Sequence, residues 1–322
     1  LNMGDSLADA AGDYPLRDPK PYSRLTGWSR RTMQQFNSKV VTSAKGGSTV
    51  STITYQGAEE GAAVNLRGCV LNQLNEHSNS GRLFEYILLE GGGNDAGNGA
   101  VIGTFKENDY NPANFDSEST YSGALERLIY TAIREHGDTT AFGYFIPYDM
   151  KHVTGSYGNL TGAGEYFELG KQICDKWGVE YLDLFDISAE DSSGNLTGTF
   201  SSKMNTEKHK QFVEEKTRGS TAAKDIATQG QSNGLTKEEI EAQIKALVDE
   251  NVQTSLTENA AHISDDGMTY DGVHAIDAGH DIMFSYIKPF MLEMKPVSAE
   301  IYAQVQGYHK TNPLPTSYTS YQ

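Results

Sequence analysis

Cysteine is nearly missing from this chain: 322 residues hold only two, Cys69 and Cys174. Two thiols cannot make a disulfide framework or a cysteine zinc knuckle. Each stands beside apolar residues in a segment of helical character (Cys69-Val70-Leu71 and Ile173-Cys174), which points to buried thiols; a single disulfide between them is the alternative. Long apolar runs are also missing. No stretch approaches the ~18 consecutive apolar residues of a spanning helix, so no transmembrane segment is expected. Positive charge is scarce, with 26 Lys and Arg against 43 Asp and Glu and a net charge of −17. Long-range repulsion therefore opposes nucleic acid and anionic membrane as partners. There is no Gly-x-Ser-x-Gly elbow, no His-Glu-x-x-His zinc helix and no internal repeat. The Asp/Asn-rich run 107–116 reads as a solvated loop rather than a Ca²⁺ site, and no metal or organic cofactor is implied.

What is present is enough apolar material for a core (37%) together with 33 Gly and 18 Tyr, a composition that implies long polar loops. Apolar runs of strand length recur at 39–42, 83–89, 141–147 and 179–185, after a first strand that ends at Met3. Between them lie helical stripes: Leu125, Leu128, Ile129, Ala132 and Ile133 over 121–136, then Phe167, Ile173, Cys174 and Trp177 over 164–177. Strands apolar on both faces, alternating with helices, predict an α/β fold with a doubly wound parallel sheet whose binding edge lies at the carboxyl ends of the strands. The alternation breaks at about 187–266, an insertion with no convincing strand and one helix announced by the capping box Thr236-Lys237-Glu238-Glu239. A last helix follows at 278–294. One domain over 1–295 is expected, with 296–322 a Tyr/Thr/Pro-rich packed arm or linker. Only Leu1-Asn2-Met3 precede the first turn, so native sequence upstream, and further domains outside this stretch, are expected. The acidity and polar loops favour an extracellular or cell-surface location.

Three short blocks carry chemistry. Gly4-Asp5-Ser6-Leu7 follows the first strand, Gly92-Gly93-Asn94-Asp95 follows an apolar run, and Asp271-Gly272-Val273-His274 precedes the last helix. A serine hydroxyl attacks only when a base takes its proton, and the base needs an orienting group. Ser6, His274 and Asp271 are the residue types for those parts. The developing oxyanion needs convergent donors, which the backbone N–H groups of Ser6 and Gly47 and the amide of Asn94 can supply. Tyr148, Asp149 and His152 follow the fourth strand and are expected at the same edge, against substrate. His77, His136, His209, His262 and His309 show no partner pattern and are expected at the surface.

These blocks resemble those of the SGNH/GDSL hydrolases. The second block, around Gly46 and Gly47, is looser and has Thr42 where an asparagine is frequent; Ala275 replaces the proline that often follows the histidine. The resemblance implies a flavodoxin-like three-layer α/β/α sandwich with a parallel, five-stranded central sheet. It implies a serine esterase, with Ser6, Gly47, Asn94 and His274 as signature residues and Asp271 in support. The expected substrate is an acylated small molecule or glycan, an acetylated carbohydrate foremost. Alternatives are an acyltransferase or lipid acylhydrolase of the same fold, or a non-catalytic glycan-binding domain.

Overall fold

The computed structural model describes residues 1–5, 8, 28–44, 46–52, 70, 73, 74, 77, 82–137, 139–152 and 163–311. In chain order the strands are β1 (Asn2–Met3), β2 (Tyr86–Glu90), β3 (Ala141–Ile146), β4 (Glu180–Asp183), β5 (Met204–Asn205) and β6 (Ile263–Ser264). The α-helices are α1 (Trp28–Phe36), α2 (Gly93–Gly97), α3 (Tyr121–His136), α4 (Gly164–Trp177), α5 (Thr206–Arg218), α6 (Thr221–Ser232), α7 (Lys237–Glu258), α8 (Asp277–Glu293) and α9 (Ala299–Thr311).

β1 to β4 form one parallel sheet in that order, with Asn2 opposite Leu88, Leu88 opposite Gly143 and Gly143 opposite Glu180. Side chains alternate across it because successive residues of a strand point to opposite faces. Met3, Ile87, Leu89, Phe142, Tyr144 and Ile146 join the core that contains the apolar stripes of α3 and α4. Leu88, Ala141 and Phe145 face the other way, into a second core with Trp28 of α1 and Met283, Ile287 and Met291 of α8. Helices on both faces of a parallel sheet make the three-layer α/β/α sandwich.

The expected strand at 39–42 is shorter than its apolar run suggested. It is a single parallel bridge, Thr42 to Asn2, held by Asn2 N–H to Val41 O (2.8 Å) and Ser43 N–H to Asn2 O (2.9 Å). The sheet therefore has four strands and this bridge where five strands were expected. An edge segment gains ladder bonds on one side only, and Lys39 and Thr42 are exposed, so little holds it extended.

The segment expected to lack strands contains β5 and β6, which pair in parallel, Met204 with Ile263 and Asn205 with Ser264. Two further helices, α5 and α6, precede the capped helix α7. The box on α7 is formed, with Glu239 N–H donating to Thr236 Oγ1 (3.2 Å) and Thr236 N–H to Glu239 Oε2 (2.8 Å). Beyond α8, helix α9 lies against α3: Val305 is fully buried, and Gln306 Nε2 donates to Arg134 O (3.0 Å). Among the described residues no helix is long and apolar enough to cross a membrane.

α3 and α4 are tied together inside the sandwich by a buried ion pair. Lys176 Nζ meets Glu126 Oε1 and also donates to Asp109 O (2.6 Å), with both charged side chains at most 1% exposed. Removing one partner leaves an uncompensated buried charge, which costs far more than replacing both. Lys176→Met alone is expected to lower unfolding free energy by about 3–5 kcal/mol. The double variant Lys176→Met, Glu126→Leu should recover most of that loss; urea unfolding of the single and double variants measures the difference.

Candidate active site

The loops after β1, after the Thr42 bridge and after β2 meet at one edge of the sheet, because parallel strands send all their carboxyl ends the same way. Gly4 ends β1 with φ +147°, and a Cβ there would lie 2.6 Å from Glu90 O. Only glycine fits that turn without displacing β2. Gln73 then joins two loops: Gly4 N–H donates to its Oε1 (2.8 Å), while its Nε2 donates to Gly4 O and Ser48 Oγ (2.9 Å each). Asp5 is buried beside the fully buried Glu90, to whose Oε2 its N–H donates (3.3 Å). Burial, with the neighbouring Asp5 carboxylate adding to it, pushes the Glu90 carboxyl well above the ordinary range. Ser6, next in the chain, lies outside the described residues.

Asn94 lies in the loop after β2, at the start of α2. Its Nδ2 donates to Asp5 Oδ2 (2.9 Å) and Ser48 O (3.0 Å), so both amide hydrogens are directed at protein acceptors. Asn94 thus brings the loops after β1, after the Thr42 bridge and after β2 into contact. Its neighbour Asp95, fully buried, accepts from Val50 N–H (2.8 Å), Ser51 N–H (2.9 Å) and Ser51 Oγ (2.5 Å). Burial raises its carboxyl above the ordinary value, opposed by those three donors. Gly47 sits in the loop after the Thr42 bridge, exposed, with φ +78° in the left-handed region that favours glycine. From the sheet, Tyr144 Oη donates to Gly91 O (2.7 Å) and pairs with Tyr121 Oη (2.7 Å), fixing the glycine turn that precedes Asn94.

Asp271 and His274 come together as the spacing implied. His274 Nδ1 lies 2.8 Å from Asp271 Oδ2, and Asp271 Oδ1 accepts the backbone N–H of Val273 (3.0 Å) and of His274 (2.7 Å). Burial alone would raise the Asp271 carboxyl, but His274 and the two backbone donors outweigh it and hold the group below the ordinary range. An ionised Oδ2 accepts, so Nδ1 carries the hydrogen and Nε2 is the basic nitrogen. The imidazole is about one-fifth exposed, at 22%. Tyr148, following β3, donates its hydroxyl to Val273 O and so anchors this loop to the central sheet.

Tyr148, Asp149 and His152 do follow β3, yet their polar groups are engaged within the protein. Tyr148 is 1% exposed, which leaves it no surface for a substrate; its part is to hold Val273. Asp149 N–H donates to Ser188 Oγ (2.7 Å), and its carboxylate accepts Lys151 N–H (3.1 Å). His152, buried, lies 3.0 Å from Glu190 Oε1 through Nε2 and 3.4 Å from His262 Nδ1 through its own Nδ1. Burial lowers its imidazole pKa, with Glu190 opposing. The loop is overlaid by segments near 188–190 and 262 that sequence patterns did not place there.

His136 and His209, expected at the surface, are buried. Gln73 and Glu90 were not picked out from sequence. A polar residue inside an apolar strand (Leu88-Leu89-Glu90) was the available signal for Glu90, whereas Gln73 carried none. Cys174 is a free buried thiol whose pKa burial pushes up; Cys69 lies outside the described residues. Among the described residues no group of three His, Cys, Asp or Glu is arranged to hold a metal ion.

Residues 3–201 match the GDSL-like lipase/acylhydrolase family, and the chain belongs to it. Membership implies an ester hydrolase. The match spans Ser6, Gly47 and Asn94 and stops short of Asp271 and His274. One solved structure aligns at 13% identity over 91% of this chain and 95% of its own, with a TM-score of 0.50, and shows the fold alone. A possible lipase from Chitinophaga pinensis aligns at 14% identity over 90% and 96%, TM-score 0.47. A carbohydrate acetylesterase family member from Sinorhizobium meliloti aligns at 14% over 61% and 89%, TM-score 0.37. No curated protein matches the chain.

Asp95→Ala strips three donors of their acceptor, two of them buried backbone N–H groups. Each buried orphan costs about 1–3 kcal/mol. The variant is expected to melt well below the parent in a thermal scan and to lose most activity, while Asp95→Asn, which keeps one acceptor oxygen, falls between.

Proposed function

We propose that this chain is a serine esterase that removes short acyl groups, acetyl foremost, from a carbohydrate or a small-molecule ester through an acyl-enzyme on Ser6. The observation that carries the proposal is the Asp271 carboxylate, held by two backbone donors, at 2.8 Å from His274 Nδ1. That arrangement leaves Nε2 as the proton acceptor and stabilises the imidazolium that forms.

Ser6 Oγ attacks the ester carbonyl as its proton passes to His274 Nε2. The carbonyl carbon becomes tetrahedral, and its oxyanion takes hydrogen bonds from the backbone N–H groups of Ser6 and Gly47. Asn94 contributes by sharing a hydrogen it otherwise gives to Asp5 or Ser48, so its donation strengthens only as negative charge develops. His274 returns the proton to the leaving alcohol, the C–O bond breaks, and the acyl group stays on Ser6. Water then adds by the same route, His274 taking its proton, and the carboxylic acid leaves with Ser6 restored.

The spread of exposed apolar side chains supports a short acyl group. Among the described residues the exposed large apolar side chains are Leu83, Val101, Leu196 and Leu292, scattered over four segments. A long acyl chain needs a contiguous apolar patch.

The pH dependence follows from the signs. Asp271 has a depressed pKa in the folded protein, so its contribution to stability is present above the unfolded carboxylate value of about 3.9 and fades as pH falls through its folded value. It therefore stays ionised throughout the range where His274 titrates. Protonation of His274, the proposed base, should then lower kcat/KM on the acid side, with activity rising as pH increases.

Ser6→Ala and His274→Ala should each lower kcat by ~10³-fold or more, and Asn94→Ala by about 10²-fold. The assay is p-nitrophenyl ester hydrolysis by protein whose folding is checked by circular dichroism. Rates should fall steeply from acetyl to octanoyl esters. Near-normal activity in Ser6→Ala would remove the nucleophile, and a preference for octanoyl would remove the short-chain assignment.

A further inference from the structure

We infer that the helical insertion between β4 and α8 is part of the catalytic apparatus, with Tyr270 the positioning residue through which it holds His274. The inference rests on His274 being the general base. Tyr270 precedes Asp271 and is 2% exposed. Its ring lies nearly parallel to the His274 imidazole, centroids 5.5 Å apart and planes 14° apart. Phe212, from helix α5 of the insertion, packs on Tyr270 at 5.3 Å.

The main chain of Tyr270 is held from both directions. Its N–H donates to His274 O (3.0 Å), closing the loop, and its carbonyl lies 2.8 Å from Nδ1 of His209, a buried residue of α5. A carbonyl only accepts, so Nδ1 of His209 carries the hydrogen. Its Nε2 lies 2.9 Å from the Ser255 hydroxyl of α7. Asn259, just past α7, donates to Ser255 Oγ (3.3 Å) and Ser255 O (2.8 Å). One line of hydrogen bonds thus runs from the end of α7 through α5 to the residue beside Asp271.

This arrangement does two things for the base. The stacked ring limits rotation of the imidazole, so Nδ1–H stays directed at Asp271. The negative face of the phenol ring also favours the imidazolium over the neutral ring. In the described contacts the titratable groups facing the imidazole are Asp271 and Tyr270. From β3, Tyr148 meets the carbonyl of the adjacent Val273, and from α5, His209 meets the Tyr270 carbonyl.

The test uses Tyr270→Leu, Tyr270→Phe, His209→Leu and His209→Asn in the full chain. Two quantities are read: the His274 imidazole pKa by NMR, and kcat and KM for p-nitrophenyl acetate. Tyr270→Leu should lower the His274 pKa by about half a unit and kcat by roughly tenfold, with KM within twofold. Tyr270→Phe keeps the ring and should restore both. His209→Leu should lower kcat by about fivefold, and His209→Asn, whose amide nitrogen stands close to where Nδ1 was, should recover it. If Tyr270→Leu does not fold, Tyr270→Met keeps the volume without a π face and takes its place. An unchanged His274 pKa and kcat in the folded Leu or Met variant would overturn the inference, as would equal losses in the Phe and Leu variants. The NMR readout does not depend on Ser6. If Ser6→Ala kept full activity while the pKa shift appeared, the esterase assignment would fall and the stacking contact would stand.

Discussion

Parallel strand pairing is the constraint on which everything else in this molecule depends. β1, the bridged segment at Thr42 and β2 run the same way, so their following loops emerge on one edge, and residues 5, 48 and 94 can touch although the chain separates them widely. The same pairing requires cover on both faces. Helices α1 and α8 supply it on one side, α3, α4 and α9 on the other. Cover and convergence are two consequences of one geometry, which is why the edge can be polar while the sheet beneath it is almost wholly apolar.

Three carboxyl groups, Asp5, Glu90 and Asp95, are buried directly under that edge. Buried acids are costly unless donors surround them or a proton neutralises them. Asp95 takes the first route with three donors from residues 50 and 51, and Asp5 takes it in part through Asn94. Glu90 is driven toward the second, since burial and the Asp5 charge both favour its neutral form. The acids therefore act as connectors: each joins loops that share no secondary structure, and their acceptor geometry sets how close those loops come.

Sequence patterns were informative where burial follows a period. β2, β3 and β4 stand where apolar runs were, α3 and α4 match their stripes, and α8 begins and ends one residue before the expected bounds. The capping box on Thr236 announced α7. Helices α5 and α6 escaped because they bury little that is apolar: α5 buries His209 and Thr217, and α6 buries Ala223 and Gly230. Their legible signals were the N-caps Asn205 and Ser220, each accepting from a backbone N–H three residues on. The 39–42 run misled for the opposite reason, having apolar residues but an edge position. The approach of Asp271 to His274 was readable because only Gly272 and Val273 separate them. Tyr148 was misassigned because proximity to an edge does not tell whether a ring points into solvent or into the core.

The segment between β5 and β6 stands just before the loop that carries His274, and the way it closes explains how that loop is fixed. Its two ends are joined: Met268 N–H donates to Ser201 O (2.9 Å), Thr269 Oγ1 to Ser202 O (3.1 Å), and β5 pairs with β6. Loop-closure cost grows only logarithmically with length, so an excursion of about 60 residues costs roughly 1 kcal/mol more than one a quarter as long. Once the ends are sewn, residues 269–276 leave from a fixed point, and Ile276 N–H returns to Met268 O (2.9 Å) to begin α8. The histidine loop is thus anchored to the insertion at its start, to β3 through Tyr148 at Val273, and to α8 at its end. Three anchors around eight residues leave the Asp271–His274 pair little freedom. A short loop held this way can keep its geometry independently of the length of chain inserted before it.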